Sequence, residues 1–260
     1  MQNSSNLGWV INGNGRWFVI VLIATLSLGL LLSGCQEGGF LLGDEGEEVS
    51  REIKLDAYQS IWTYGLFEIR LVQDTVHKAV VKGRSSVVQN IHFSQKRGSV
   101  FVREGKSNHW YKTEQKPLVE FHFADLSYFR IEEPSRLYTR DTLHTENLEV
   151  IVANELSEVD LLIDAGYFYL ENWSTSTGRF SLKGRCREFE VKLCGSGTLE
   201  AKELMVGNAR ILQKSIADGY ITVTDTLQVR STGPGHIYYY GDPQEIIFSQ
   251  QASGDLIGLW

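Results

Sequence analysis

From about Arg51 onward, apolar and polar residues alternate in short stretches separated by Gly, Asp, Asn and Ser. Leu66-Phe67-Glu68-Ile69-Arg70-Leu71, Val100-Phe101-Val102-Arg103 and Val119-Glu120-Phe121-His122-Phe123 are the clearest cases. A period of two marks a strand with one buried face, because successive side chains leave a pleated chain on opposite sides. No stretch keeps a helical period for more than two turns, and residues 86–91 have room for a single turn. The pattern predicts an all-β chain.

In the second half the pattern repeats. Val150, Leu170, Val191, Ile211, Val229 and Ile247 align with steps of 20, 21, 20, 18 and 18 residues. Each unit carries an apolar strand, a glycine-containing turn and a second short apolar strand. One example is Phe189-Glu190-Val191-Lys192-Leu193, then Gly195-Ser196-Gly197, then Thr198-Leu199-Glu200-Ala201. Glycines at 178, 197, 219, 235 and 254 keep step with these strands. Glycine fits a corner where the backbone needs positive φ or where neighbouring coils come close. The expectation is a parallel β-helix, or β-solenoid, with coils of about 20 residues stacked at the ~4.8 Å spacing of paired strands. An antiparallel sandwich is the competing arrangement, but it gives glycines no reason to recur in register. A solenoid has open strand edges at both ends. The less repetitive residues 51–125, an N-terminal β-rich section, are expected to cap one end of the repeats at 126–260. Leu256-Ile257-Gly258-Leu259-Trp260 is expected to close the other.

The first fifty residues follow a different pattern. Residues 17–32 are almost wholly apolar, follow the lone basic residue Arg16 and have no acidic residue before them. That profile is a secretion signal, and the run is short for a span, which wants about 20 apolar residues. It ends in Leu32-Ser33-Gly34-Cys35, which resembles the lipobox of bacterial lipoproteins. Small residues let an extended segment enter a protease cleft, and the thiol is the nucleophile that takes up a diacylglycerol. Residues 1–34 are therefore expected to be removed and Cys35 to be lipidated. Residues 35–50, with the acidic run Gly43-Asp44-Glu45-Gly46-Glu47-Glu48, read as a flexible tether. The expected location is the cell envelope, on the outer membrane, with the head facing the periplasm or the cell surface.

Charge narrows the partners. The formal net charge of the 260 residues is -7, and loss of Arg16 with the signal makes the exported part more acidic still. No basic stripe is present to release counterions from a phosphate backbone, so nucleic acid is not expected as a partner. The expected partners are the membrane, through the lipid, and a glycan or protein ligand.

The opening Arg51-Glu52-Ile53 leading into Leu66-Phe67-Glu68-Ile69, the recurrent Gly-x-Gly corners and the segment Gly233-Pro234-Gly235-His236-Ile237-Tyr238-Tyr239-Tyr240-Gly241-Asp242-Pro243 resemble the GIN-domain family of auto-transporter adhesin heads. The resemblance covers most of residues 51–260. Residues 174–178 and Ile216-Ala217-Asp218-Gly219 depart from it, since the usual Gly-Ser-Gly corner is replaced there. It implies a β-helix-like head in the envelope and transfers no catalytic residue.

Catalytic chemistry finds little support. The six histidines, at 77, 92, 109, 122, 144 and 236, are scattered without metal-ligand spacing, so no metal or other cofactor is expected. His122, between Phe121 and Phe123, is expected to face solvent. No nucleophile elbow is present. Asp160 and Asp164 could share a strand face, as many solvated carboxylates do. Cys186 and Cys194 are too far apart for a disulfide if the segment between them is extended, and a bridge would need a turn.

Aromatic residues are the remaining lead. Tyr167-Phe168-Tyr169 and Tyr238-Tyr239-Tyr240 put rings on both faces of their strands, and Asn108-His109-Trp110-Tyr111 looks like a hairpin tip. Trp110, Tyr111, Tyr167, Tyr169, Tyr238 and Tyr240 are the candidate ligand contacts, able to stack on sugars or anchor a protein. The alternative is that one ring of each trio packs inward and the others cover coil surface. The sequence favours a non-enzymatic binding or adhesion head on a lipid anchor. A polysaccharide-active β-helix enzyme and a structural or envelope-stress component are the competing readings.

Overall fold

The structure, a computed structural model, describes residues 47–105, 116–173 and 176–259. The signal, Cys35, nearly all of the tether, Trp110 and Tyr111 lie outside the described residues, as does part of the departure at 174–178. The expected β-solenoid is present. The first strands are β1 (Glu48–Lys54), β2 (Ser60–Tyr64), β3 (Glu68–Gln73), β4 (Lys78–Arg84), β5 (Ile91–Lys96), β6 (Ser99–Glu104) and β7 (Leu118–Phe123). A single helical turn at Ser85–Val88 lies between β4 and β5. Short strands β8 (Tyr128–Ile131) and β9 (Arg136–Thr139) lead into the long strands β10 (Leu143–Val152), β11 (Glu158–Asn172), β12 (Arg179–Leu193), β13 (Thr198–Gln213) and β14 (Gly219–Ser231). The last three are β15 (Ile237–Tyr240), β16 (Glu245–Gln250) and β17 (Leu256–Gly258).

The long strands bend. In β13 the inward and outward residues alternate strictly except at Lys202–Glu203 and Gly207–Asn208, where two outward residues follow one another. Each skip turns the strand through a corner while apolar residues stay inside, so one strand supplies three straight segments and the coil is three-sided. Neighbouring coils pair in parallel along all three sides.

Register confirms the repeat read from the sequence at four of its five steps. Val150 pairs with Leu170, Leu170 with Val191, Val191 with Ile211 and Ile211 with Val229. At the last step Val229 pairs with Phe248, not Ile247. Ile246, Ile247 and Phe248 are all apolar, so parity could not be read there, and a one-residue slip reverses the face. On the second face an inward column runs Val81, Val119, Ile69, Leu137, Val159, Phe180, Leu199, Gly219 and Ile237. Most of these side chains are 0% exposed, and Phe168 stacks on Phe189 with centroids 5.5 Å apart.

The corner glycines are needed for close approach. Pairing aligns positions 178, 197, 217, 235 and 254, so Ala217 holds the place expected for Gly219, which lies two residues further on in the core column. A Cβ on Gly235 would lie 2.1 Å from the carbonyl oxygen of Ala217, and one on Gly254 2.3 Å from that of Gly235. Buried polar side chains hold the corners together. Asn172 donates to the Cys194 carbonyl (2.8 Å) and accepts from its N–H (2.9 Å), while the Ser215 hydroxyl reaches the carbonyls of Gly195 and Gly197.

The N-terminal section is interleaved. On the first face the strand order is β5-β6-β2-β8-β10, and on the second it is β1-β4-β7-β3-β9-β11. The coil made by β2 and β3 therefore sits between the β6–β7 layer and the β8–β9 layer, both of which come later in the sequence. Beyond it the pairing turns antiparallel: β1 on β4, β4 on β7 and β5 on β6. Val49, Ile53 and Phe93 pack on the core from this end, and the Arg51 guanidinium donates to the Ile91 carbonyl. Residues 51–125 do cap the solenoid, and they also supply two of its layers.

Among the described residues the other end is closed only in part, with Leu256 packed on the core and Trp260 outside those residues. β17 extends the second face by pairing with β15, but Ile246 and Phe248 of β16 remain 44% and 38% exposed. His122 is part-buried with its ring nitrogen 3.2 Å from the Asp74 carboxylate, so it is less open to solvent than expected. Cys186 and Cys194 are both free and buried. Among the described residues no helix is long and apolar enough to cross a membrane.

Candidate functional site

Because side chains alternate, the outer surface of the first face is a grid of three register-matched columns. The central column runs Tyr128, Glu149, Tyr169, Glu190, Arg210 and Gln228. On one side run Phe101, Trp62, Arg130, Ile151, Glu171, Lys192, Leu212 and Arg230. On the other run Asn147, Tyr167, Glu188, Asn208 and Thr226.

The end of this grid nearest the cap is aromatic. Trp62 stacks on Phe101 (centroids 6.1 Å, planes 28° apart) and leans on Tyr128 at 5.4 Å. The Arg130 guanidinium lies 5.1 Å from the Trp62 ring and 4.9 Å from the Trp173 ring, with its Nε donating to Glu132 at 2.7 Å. Such cation–π contacts hold the guanidinium in place without removing its outer donors. Trp173 remains 45% exposed.

The middle of the grid is a hydrogen-bonded set of charges. The Tyr169 hydroxyl donates to Glu171 at 2.6 Å, and Lys192 pairs with the same carboxylate. Burial, and then Glu171 itself, push the Tyr169 phenol well above its ordinary value. Burial alone would raise Glu171, but hydrogen bonds from Lys192 and Tyr169 and the charges of Lys192 and Arg130 outweigh it and leave the group below the usual carboxylate value. Glu171 is thus held ionised at neutral pH, the wrong state for a general acid. Further along, Arg210 bridges Glu190 (3.2 Å) and Gln228 (3.3 Å), and Asn208 donates to Glu188 (2.8 Å). Two shallow depressions of about 210 and 230 Å³ lie over this part, lined by Tyr167, Tyr169, Glu190, Arg210 and Gln228 among others.

The second tyrosine trio lies elsewhere. Tyr238 and Tyr240 point outward on the second face, where Tyr238 stacks on Tyr220 at 4.9 Å and 12°. The Lys202 ammonium sits 4.3 Å from the Tyr220 ring and 5.8 Å from that of Tyr240. Tyr239 packs against the core, and Phe168 of the first trio is fully buried. One ring of each trio therefore packs inward. The fold brings Tyr167 and Tyr169 together on the first face and leaves Tyr238 and Tyr240 on another. Stacking uses the facing sides of Tyr220 and Tyr238, and Lys202 lies against the Tyr220 ring as well.

Trp62, Phe101, Tyr128, Arg130 and Trp173 were not singled out in the sequence. Strict alternation in Ile61-Trp62-Thr63 does mark Trp62 as outward, but nothing local shows that β2 lies beside β8 and β6. Asp160 and Asp164 fall on different sides of a coil, the first near Arg136 (3.8 Å) and the second bonded to Arg185 (2.7 Å). They do not converge. Among the described residues no cluster of His, Cys, Asp and Glu is arranged to hold a metal.

Comparisons with known proteins place this architecture. No curated protein matches the chain. The structure of a "putative adhesin" from Bacteroides fragilis superposes with a TM-score of 0.75 at 18% identity, covering 82% of this chain and 97% of that one. A "putative lipid binding protein" from Parabacteroides distasonis gives 0.64 at 16% identity, covering 83% and 98%, and a "putative adhesin" from Parabacteroides merdae gives 0.61 at 15%, covering 83% and 97%. At these identities the likeness establishes the fold. A family model described as "putative auto-transporter adhesin, head GIN domain" matches residues 57–243, well over half of the chain, and to that family the chain belongs.

Proposed function

We propose that this chain is an exported lipoprotein whose solenoid is a non-enzymatic adhesion head, and that its first face binds an uncharged glycan. The observation that carries the ligand reading is the grid itself. Rings at Tyr167 and Tyr169 border shallow depressions floored by carboxylate, amide and guanidinium groups that are already paired with each other, and the exposed Trp173 ring lies against Arg130 at the aromatic end. A sugar ring offers hydroxyls that both donate and accept, plus an apolar C–H face, and such a floor matches it without selecting a net charge. Mutual neutralisation disfavours phosphate or sulfate groups as the recognised feature.

The lipobox Leu32-Ser33-Gly34-Cys35 supports attachment to a membrane through Cys35, and the family's adhesin description supports an envelope location. Glu171 held ionised and paired with Lys192 supports a binding role over catalysis.

The test is binding of the lipidated protein to an array of neutral and acidic glycans, with Trp173→Ala and Arg210→Ala as variants. Binding to neutral glycans that falls at least about tenfold in both variants is the expected result, equivalent to about 1.4 kcal/mol each. Binding that survives both variants, or is confined to acidic glycans, overturns the ligand assignment. For the anchor, Cys35→Ala is expected to abolish labelling by a fatty-acid probe and release the protein from the membrane fraction. Unchanged labelling overturns it.

A further inference from the structure

The two ends of the solenoid are finished differently. At the capped end the outermost strands pair antiparallel, carry Arg51, Glu52, Lys54 and Lys96, and are crossed by the Arg51 bond to Ile91. At the other end β16 pairs only with β14, so its second edge has no strand beside it among the described residues. All six of its residues are exposed, three of them apolar: Ile246 (44%), Ile247 (44%) and Phe248 (38%). Register with Leu227 and Val229 makes Ile246 and Phe248 the last members of the inward columns. Their exposure is therefore the bare end of the core. An exposed apolar edge, charged only at its first residue Glu245, is what soluble β-proteins ordinarily avoid.

We infer that this end is a self-association surface, on which β16 of a second copy pairs antiparallel with β16 about a two-fold axis through Ile247. The occupant follows from parity and charge. Residues directly opposite in an antiparallel pair must lie on the same side of the sheet. A two-fold at Ile247 sets Ile247 against itself on the outer side, Ile246 against Phe248 of the partner on the inner side, and Glu245 against Ser249. The two core ends then abut, and neither Glu245 faces its counterpart. The alternative of adding the capped end of another copy would set a charged edge, crossed by the Arg51 bond, against an apolar one. A single six-residue strand pair is a small contact, at the weak end of protein interfaces, so the dimer forms reversibly and with concentration. The first strand, β1, lies at the opposite end of the solenoid. The inference holds whether or not the first face binds a glycan.

The test is cross-linking of the full-length chain with a short bis-maleimide, in membranes of cells that express it. The wild-type chain, with its own cysteines, sets the background, since Cys186 and Cys194 are buried. Ile247→Cys is expected to give a band at twice the chain mass, and Lys96→Cys, at the capped end, to stay at background. Adding Ile246→Lys to Ile247→Cys is expected to lower the dimer band about tenfold, since it puts a charge against the partner's Phe248. An Ile247→Cys chain that cross-links no more than wild type, or no more than Lys96→Cys, overturns the inference, as does a band formed with a different protein in place of the dimer. A dimer band unaffected by Ile246→Lys overturns it too.

Discussion

The repeated coils from Leu143 to Ser231 and the section from Glu48 to Thr139 line up the same kinds of inward residue, yet they build their layers by different routes. In the repeats each coil rests on the one made just before it. In the first section, the β2–β3 coil is covered on one side by β6 and β7 and on the other by β8 and β9, all of them later in the chain. The comparison teaches that a column such as Val100, Ile61, Phe129 and Val150 satisfies the same packing physics whatever order the chain visits it in. What differs is cooperativity: a sequential stack can lose coils from its free end, whereas an interleaved one cannot lose a layer without breaking the chain's path.

The largest expected effect tests that difference. Phe129→Ala and Phe189→Ala each empty a buried aromatic site and should cost about 3–5 kcal/mol. Hydrogen exchange should show Phe129→Ala lowering protection in both regions together, and Phe189→Ala lowering it first in residues 158–258. Equal patterns would mean that the head unfolds as one unit and the contrast has no energetic content.

Next come the glycines. Gly235→Ala drives a methyl against the Ala217 carbonyl, where backbone meets backbone, and should cost about 3 kcal/mol. Gly98→Ala, between β5 and β6, has nothing within 4 Å of the new Cβ and pays only for its φ of +75°, about 1 kcal/mol. Urea midpoints of the two variants give the comparison directly, and similar costs would remove close coil approach as the reason for the corner glycines.

Smaller still is an acid effect in the repeats. The folded state holds Glu171 below the usual glutamate value, so its contribution is fully present above that value and is lost as the pH falls through the lower, folded-state one. Thermal unfolding of the wild type should therefore fall more steeply below about pH 4.5 than that of Glu171→Gln. Parallel curves would show that the Lys192 and Tyr169 bonds add nothing to stability. Last, burial pushes the Cys186 thiol up to about 11, so the folded repeats should resist alkylation at neutral pH and react only as coils open. Rapid modification of the native chain would show those coils already open.

Much of the repeat was legible because alternation is strict there. Val150, Leu170, Val191, Ile211 and Val229 fall in step along the chain, and the structure pairs them in that register. The register was not legible where parity vanishes, at Ile246-Ile247-Phe248, and where a small residue other than glycine holds a corner, at Ala217. The interleaving was invisible: nothing in Ile61-Trp62-Thr63 encodes a neighbour as distant as Phe129-Arg130-Ile131. The site shows the same division. Tyr167 and Tyr169 stood out as a local trio, while Trp62, Phe101, Arg130 and Trp173 come together only through that non-local pairing.

The interleaved coil also bears on how the chain matures when it is delivered N-terminus first. β2 and β3 emerge early, but one pair of edges stays bare until the chain has released Phe123 and the other until it has released Thr139. For that interval two adhesive ribbons are in the open, at risk of pairing with a neighbouring nascent chain. Productive folding is therefore governed by the arrival of β8 and β9, which makes the first section a slow gate and the repeats a fast zipper behind it.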